Sequence, residues 1–207
     1  MQRRHHYEQA LESYLRARRI PYVAVDEARK ALLPEGDLGA LTDGHAALKS
    51  FDLVIYGEGS NLLLEVKGRR VISRSGTADT APKAGRLESW VTLDDVESLG
   101  RWESLFGSGF EAAFVFVYWC DQLPPDALFE EIFEHAGRWY AIKCVRLRDY
   151  REAMKVRSPR WRTVDLAPRV FADLAAPLAP GQTPEVAFRG GLWQTAPPAP
   201  LLDRLSR

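Results

Sequence analysis

Phe51-Asp52-Leu53-Val54-Ile55-Tyr56, then Gly57-Glu58-Gly59-Ser60, then Asn61-Leu62-Leu63-Leu64-Glu65-Val66-Lys67 is the stretch that decides how this chain folds. Two apolar runs of strand length flank a short segment with two glycines, which is the pattern of a β-hairpin. Antiparallel pairing across that turn brings Asp52, at the start of the first run, and Glu65, near the end of the second, to the same end of the hairpin. Positions i and i+2 of a strand share a face, so Lys67 joins Glu65. Two carboxylates and an ammonium at a sheet end are costly to bury unless they pair or hold a cation. Hard oxygen ligands of this kind suit Mg²⁺ or Mn²⁺.

Before the hairpin, Tyr7, Leu11, Tyr14 and Leu15 recur at helical spacing and predict a helix over residues 5 to 18. Glu8 and Glu12 lie one turn apart beside that apolar stripe, so either offers a third carboxylate. Residues 20 to 25 read as a short strand opened by Pro21. Residues 26 to 50 are mixed, with a helical turn around 28 to 33 and turn chemistry at 34 to 37.

After the hairpin, residues 68 to 90 are rich in Arg, Ser, Gly, Thr and Pro and read as a long loop. Thr92-Leu93-Asp94-Asp95 has the form of an N-cap followed by an acid at N3, with Val91 placed to staple onto Val96. The helix so begun has Leu99, Trp102, Leu105 and Phe106 on its apolar face and stops at Gly107. Residues 112 to 119 are apolar on both faces, as in the middle strand of a covered sheet. The order is therefore αβββαβ, an α/β fold with a central mixed sheet flanked by helices. A less regular part follows: an apolar segment at 128 to 133, a turn at Ala136-Gly137, a strand over 139 to 147, a basic stretch into Trp161, and a short helix over 166 to 174. Proline is dense from 175 onward, which predicts an extended tail.

The chain has 207 residues, 46% of them hydrophobic and 11% aromatic, enough for one compact domain with its own core. That composition excludes disorder, collagen and coiled coil. Cys120 and Cys144 are too few for a disulfide framework, and no Cys/His cluster has zinc spacing, so a reducing, cytoplasmic setting is expected. No apolar run reaches the roughly 20 residues that cross a bilayer, so neither a signal peptide nor a membrane span is expected. Twenty-eight basic residues balance 28 acidic ones, so any affinity for a polyanion must come from local charge.

That charge is uneven. Residues 67 to 86 carry a local +5 and residues 143 to 162 a local +6, whereas residues 94 to 134 carry −9. The expectation is a bipolar surface, with basic segments turned to a polyanion and an acidic flank facing away.

Asp52, twelve intervening residues, then Glu65-Val66-Lys67 on an apolar strand, with a Glu8-bearing helix before and a helix and strand after, resembles the PD-(D/E)XK nuclease superfamily. The opening, Tyr7-Glu8-Gln9-Ala10-Leu11-Glu12-Ser13-Tyr14-Leu15 with its following strand, is most similar to archaeal Holliday-junction resolvases and related restriction-like enzymes. His6-Tyr7-Glu8-Gln9-Ala10-Leu11-Glu12 also resembles the name motif of the bacterial HYExAFE proteins, with Leu11 in place of Phe, a group that brings no activity with it. The resemblance covers about residues 5 to 119. Phe51 stands where the family has Pro, which weakens the sequence match more than the chemistry.

The chain is expected to divide into a core over 1-150 and a Pro-rich C-terminal extension over 151-207, packed on or trailing from that core, although nothing after Trp119 has a counterpart in the resemblance. What the resemblance implies is a restriction-endonuclease-like fold for the core and Mg²⁺-dependent hydrolysis of phosphodiester bonds, with DNA as the expected substrate. Asp52, Glu65 and the backbone carbonyl of Val66 would hold Mg²⁺ or Mn²⁺, with Glu8 completing the shell, and Lys67 would orient or deprotonate the attacking water. Arg69, Arg70, Arg74, Lys83 and Arg86 would meet substrate phosphates. A homodimer is a family-level expectation, since enzymes of this kind cut two strands.

Other readings stand beside these. The chain can be a catalytically inert nuclease-fold protein that binds nucleic acid or a protein partner, or an interaction protein whose acidic block takes a basic partner. Trp102 reads as core; Trp161, between Arg160 and Arg162, can stack on a base, although an aromatic plug under a basic rim is the commoner case; His5 and His6 read as a solvated helix start, and both cysteines as buried small hydrophobes.

Overall fold

The computed structural model describes residues 5–25, 48–57, 60–71, 87–121 and 131–178. The helix and turn expected between 26 and 47, most of the loop after 71 and the proline-dense tail after 178 lie outside the described residues.

The elements are α1 (His5–Ala17), β1 (Tyr22–Ala24), β2 (Leu53–Ile55), β3 (Asn61–Val71), β4 (Val91–Thr92), α2 (Leu93–Phe106), β5 (Phe110–Cys120), β6 (Ile132–His135), β7 (Arg138–Arg146), α3 (Leu147–Ala153), β8 (Lys155–Ser158), β9 (Thr163–Asp165) and α4 (Pro168–Leu174). Six strands form one mixed sheet in the order β1-β2-β3-β5-β7-β6, and β4-β9-β8 form a second, smaller one. β2 and β3 pair antiparallel as the expected hairpin, Leu53 opposite Leu64. β3 and β5 run parallel along their whole length, which requires a crossover, and α2 supplies it. Through β5, apart from the two-residue β4, the order is the αβββαβ read from the sequence, consistent with a restriction-endonuclease-like fold.

The long strands are buried on both faces because they have helices on both. On one face Leu11, Tyr14 and Leu15 of α1 pack with Leu62, Leu64, Val115 and Val117. On the other, Val96, Leu99 and Trp102 of α2 pack with Leu63, Phe114 and Phe116, and α3 and α4 add Tyr150 and Phe171. Val164, Leu166 and Phe171 belong to that same core, so residues 163 to 171 are packed on the sheet.

Two helix ends follow the sequence closely. Thr92 caps α2 by accepting from the Asp95 N–H while Asp95 accepts from the Thr92 N–H, and Val91 and Val96 are both buried. Gly107, at φ 71°, ends the helix with its N–H donating to the Glu103 carbonyl. The turn from β6 to β7 puts Ala136 at φ 50° and Gly137 at φ 70°, as two-residue hairpin turns require.

Candidate active site

β2 begins only at Leu53, and its antiparallel neighbour β3 runs on past that end to Val71. The residue just before β2 is Asp52, whose N–H donates to the Leu64 carbonyl (2.9 Å) and whose carbonyl accepts from Val25 N–H (2.8 Å). Its carboxylate Oδ2 accepts the Val66 N–H at 2.6 Å, standing in for the carbonyl that a longer β2 would have offered. A strand residue's N–H and C=O point to the same edge, so the Val66 carbonyl is on the Asp52 side too. The hairpin thus brings Asp52, Glu65 and the Val66 peptide to one place because β2 is short.

Leu63 faces α2, so Glu65, Lys67 and Arg69 do as well, by the two-residue period of the strand. Lys67 Nζ lies 2.7 Å from Glu65 Oε1 and 2.9 Å from Asp95 Oδ2. Asp95 Oδ1 in turn pairs with Lys49 at 3.0 Å. A small pocket lined by Lys49, Phe51, Glu65, Asp95, Ser98 and Trp102 adjoins the cluster. Trp102 is core, as expected, with its indole N–H bound to the Lys49 carbonyl at 2.7 Å.

The electrostatics follow from burial and like charge. Burial, then the neighbouring Glu65, then Glu8 push the Asp52 carboxyl up to about 8, against the Val66 N–H and Lys67, which favour its ionised form. Glu65 is also raised, chiefly by burial, with Lys67 opposing. Burial alone would lower Lys67, but Glu65 and Asp95 outweigh it and raise the ammonium above its ordinary range. Burial would raise Asp95, but Lys67 and the Thr92 cap hold it down at about 2. A carboxylate pair that retains a proton near neutrality is a site where added positive charge is strongly favoured.

Among the described residues no three of His, Cys, Asp and Glu gather into a group that could hold a metal ion. The expected four-part shell with Glu8 is therefore reduced to the Asp52/Glu65 pair and the Val66 peptide, with Glu8 acting on Asp52 through its charge. Glu12 is engaged elsewhere, with Arg16 at 3.1 Å and the Tyr22 hydroxyl at 3.0 Å. The donor set that remains fits Mg²⁺, which is commonly held by one or two carboxylates with waters and substrate phosphate completing six ligands.

The expected phosphate-binding residues divide. Arg69 is turned into the protein: its guanidinium lies 4.1 Å from the Trp90 ring, donates to the Gly68 carbonyl at 2.8 Å and also donates to the Trp90 carbonyl. Arg70 is on the opposite face, exposed, paired with Asp121 at 3.0 Å and stacked over Trp119. Arg74, Lys83 and Arg86 lie outside the described residues.

Three residues carry more than the sequence reading gave them. Asp95 was legible only as a helix-capping acid, yet it also clamps Lys67; no spacing rule connects positions 67 and 95. Trp161 is not a plug: the residue is 69% exposed at the β8–β9 turn. His6 is not merely solvated either, since its Nδ1 lies 2.9 Å from the Tyr140 hydroxyl and its ring packs on Tyr7 and Trp119. The acidic block is likewise not a separate flank. Glu111 pairs with Arg146, Asp121 with Arg70, and Asp94 and Glu97 with Arg162, so much of it neutralises the basic segments within the molecule.

No family model matches the chain, and no curated protein matches it. Among solved structures, the chain is similar to Hjc of Archaeoglobus fulgidus, a Holliday junction resolvase from an archaeal hyperthermophile, at 14% identity and a TM-score of 0.44, over 81% of this chain and 90% of that one.

Proposed function

We propose that the chain is a Mg²⁺-dependent nuclease that hydrolyses phosphodiester bonds, with DNA as substrate and Asp52, Glu65 and Lys67 as its working residues. One observation carries the reading: Asp52 and Glu65 sit together at the end of a hairpin, the first raised to about 8, with a charged lysine 2.7 Å from the second. Mg²⁺ held by Asp52, Glu65 and the Val66 carbonyl would neutralise charge on the scissile phosphate and acidify water there. Lys67 is held in its ammonium form by two carboxylates, which suits it to orient the attacking water and stabilise negative charge rather than to accept a proton. Glu8 adds negative charge toward Asp52 and so tightens the pair's hold on a cation.

The test is cleavage of branched, nicked and linear DNA by the purified protein with Mg²⁺ or Mn²⁺. Glu65→Ala and Lys67→Ala abolish it while leaving the circular dichroism spectrum unchanged; cleavage retained in both variants overturns the reading. The alternative, a nuclease-fold protein that binds without turnover, has in its favour that Glu8 does not join the pair in a three-carboxylate group among the described residues. It predicts salt-sensitive binding with no metal-dependent product.

A further inference from the structure

Trp161 is the most exposed large apolar side chain among the described residues, and Val156, on the same hairpin, is next at 66%. An indole left in water forfeits the stabilisation that burial would bring. The turn that holds it out is firmly built. Arg162 takes φ 46°, a left-handed conformation that arginine disfavours. It is kept there by its carbonyl, which accepts the Leu93 N–H at 2.8 Å, and by its guanidinium, which pairs with Asp94 at 3.2 Å and Glu97 at 3.7 Å. Trp161 N–H reaches Ser158 Oγ at 3.4 Å, and β9 is stitched to β4 through Thr163 and Thr92.

The surroundings of the ring state what it receives. Residues 155 to 162 carry Lys155, Arg157, Arg160 and Arg162 and no acid. Arg157 and Arg162 meet carboxylates, but Arg160 has none within ion-pair distance among the described residues. The Arg160 guanidinium instead lies 5.3 Å from the Trp161 ring centre. An apolar protein surface docking here would have to dehydrate that cation. An unpaired nucleobase stacks on the indole and leaves its own phosphate beside the guanidinium.

We propose that the β8–β9 turn is a grip for single-stranded nucleic acid, in which a base lies on Trp161 and Arg160 takes the adjoining phosphate. The proposal rests on the nuclease reading of Asp52 and Glu65, and narrows its substrate to strands with unstacked bases. The grip and the site share one rigid support. Leu93, which binds the Arg162 carbonyl, and Asp95, which binds Lys67, are both in the first turn of α2.

The experiment is fluorescence anisotropy of labelled single-stranded DNA, single-stranded RNA and the matching DNA duplex, in chelator so that nothing is cut. Trp161→Ala weakens binding of the single strands about tenfold, the loss of one base–aromatic stack, and changes duplex binding little. Trp161→Phe restores most of the loss, and Arg160→Ala reproduces part of it. Single-strand affinity equal in Trp161→Ala and wild type overturns the grip, and metal-dependent cleavage by that same variant leaves the nuclease reading standing. Unchanged DNA binding together with lost self-association in Trp161→Ala overturns it in favour of a protein partner. Wild-type protein that binds neither single-stranded probe overturns the grip, and the nuclease reading stands or falls separately on metal-dependent cleavage.

Discussion

The ammonium of Lys67 lies 2.9 Å from Oδ2 of Asp95, and this contact ties the middle of β3 to the first turn of α2. The same carboxylate accepts the Thr92 N–H that completes the helix cap and pairs with Lys49 through its other oxygen. Asp95 is only 8% exposed, so its charge is compensated by contacts rather than by water.

Removing that charge while keeping a hydrogen-bond acceptor separates the clamp from the cap. Asp95→Asn is expected to cost roughly 2–3 kcal/mol in urea unfolding, because it leaves Lys67 with Glu65 alone in a partly buried setting. Asp95→Ala loses the cap as well and costs about 1 kcal/mol more. Equal stability of wild type and Asp95→Asn would show that the contact is incidental.

Asp52 makes the metal-free protein less stable as pH rises. Its carboxyl goes from an ordinary 3.8 to about 8 on folding, so between those values the folded state holds a proton that the unfolded state has released. The contribution is present in full below about pH 4 and is lost as pH rises through about 8. Asp95 works in the opposite sense: its carboxyl is depressed to about 2, so its contribution is present above about pH 4 and lost below that. Unfolding of wild type and Asp52→Asn, followed from pH 4 to 9 in chelator, should show the downward slope in wild type and a flatter curve in the variant. Added Mg²⁺ should restore wild-type stability at the alkaline end and leave the variant unchanged.

Gly68 is where β3 passes under α1. A Cβ built on it would lie 2.1 Å from Cδ2 and 2.4 Å from Cγ of Tyr7, so the ring must move. Tyr7 adjoins Glu8 and packs edge-on against Tyr140. Gly68→Ala is expected to destabilise by about 1–3 kcal/mol, as overpacking does, and adding Tyr7→Ala should recover part of the loss. A thermal melt of the single and double variants checks both.

Glu131 is buried at 2% exposure, where it accepts the Tyr14 hydroxyl at 2.5 Å and the Leu178 N–H at 2.6 Å. It ties α1 to the last described residues. Tyr14→Phe removes a donor from a buried carboxylate and is expected to cost about 1–3 kcal/mol. Faster amide exchange at Leu178 and Ala176 should accompany the loss.

Much of this architecture was legible because local rules fix it. The apolar runs flanking residues 57 to 60 can only form a hairpin, Thr92 with Asp95 writes its own helix start, and the doubly apolar run that became β5 demands cover on both faces. β6 escaped notice because Ile132-Phe133-Glu134-His135 is too short to show alternation, and it exists only because β7 offers it an edge. The sequence leaves Trp161 open between a base-stacking ring and a buried plug, because a tryptophan between two arginines has the same sequence whether it points inward or outward. Its direction is set by Arg162, whose left-handed turn is paired to Leu93, Asp94 and Glu97, far away along the chain.

By itself the sequence determined that Asp52 and Glu65 meet, since hairpin register and strand alternation are short-range geometry. Only the tertiary structure decided what surrounds them. It brings Asp95 from α2 onto Lys67, engages Glu12 with Arg16 and Tyr22 while leaving the charge of Glu8 to act on Asp52, turns Arg69 inward onto Trp90, and cancels the acidic block against the basic segments. The physical reason is that charges separated by tens of residues interact only through the positions that core packing assigns to them, and no periodicity in the chain records those positions.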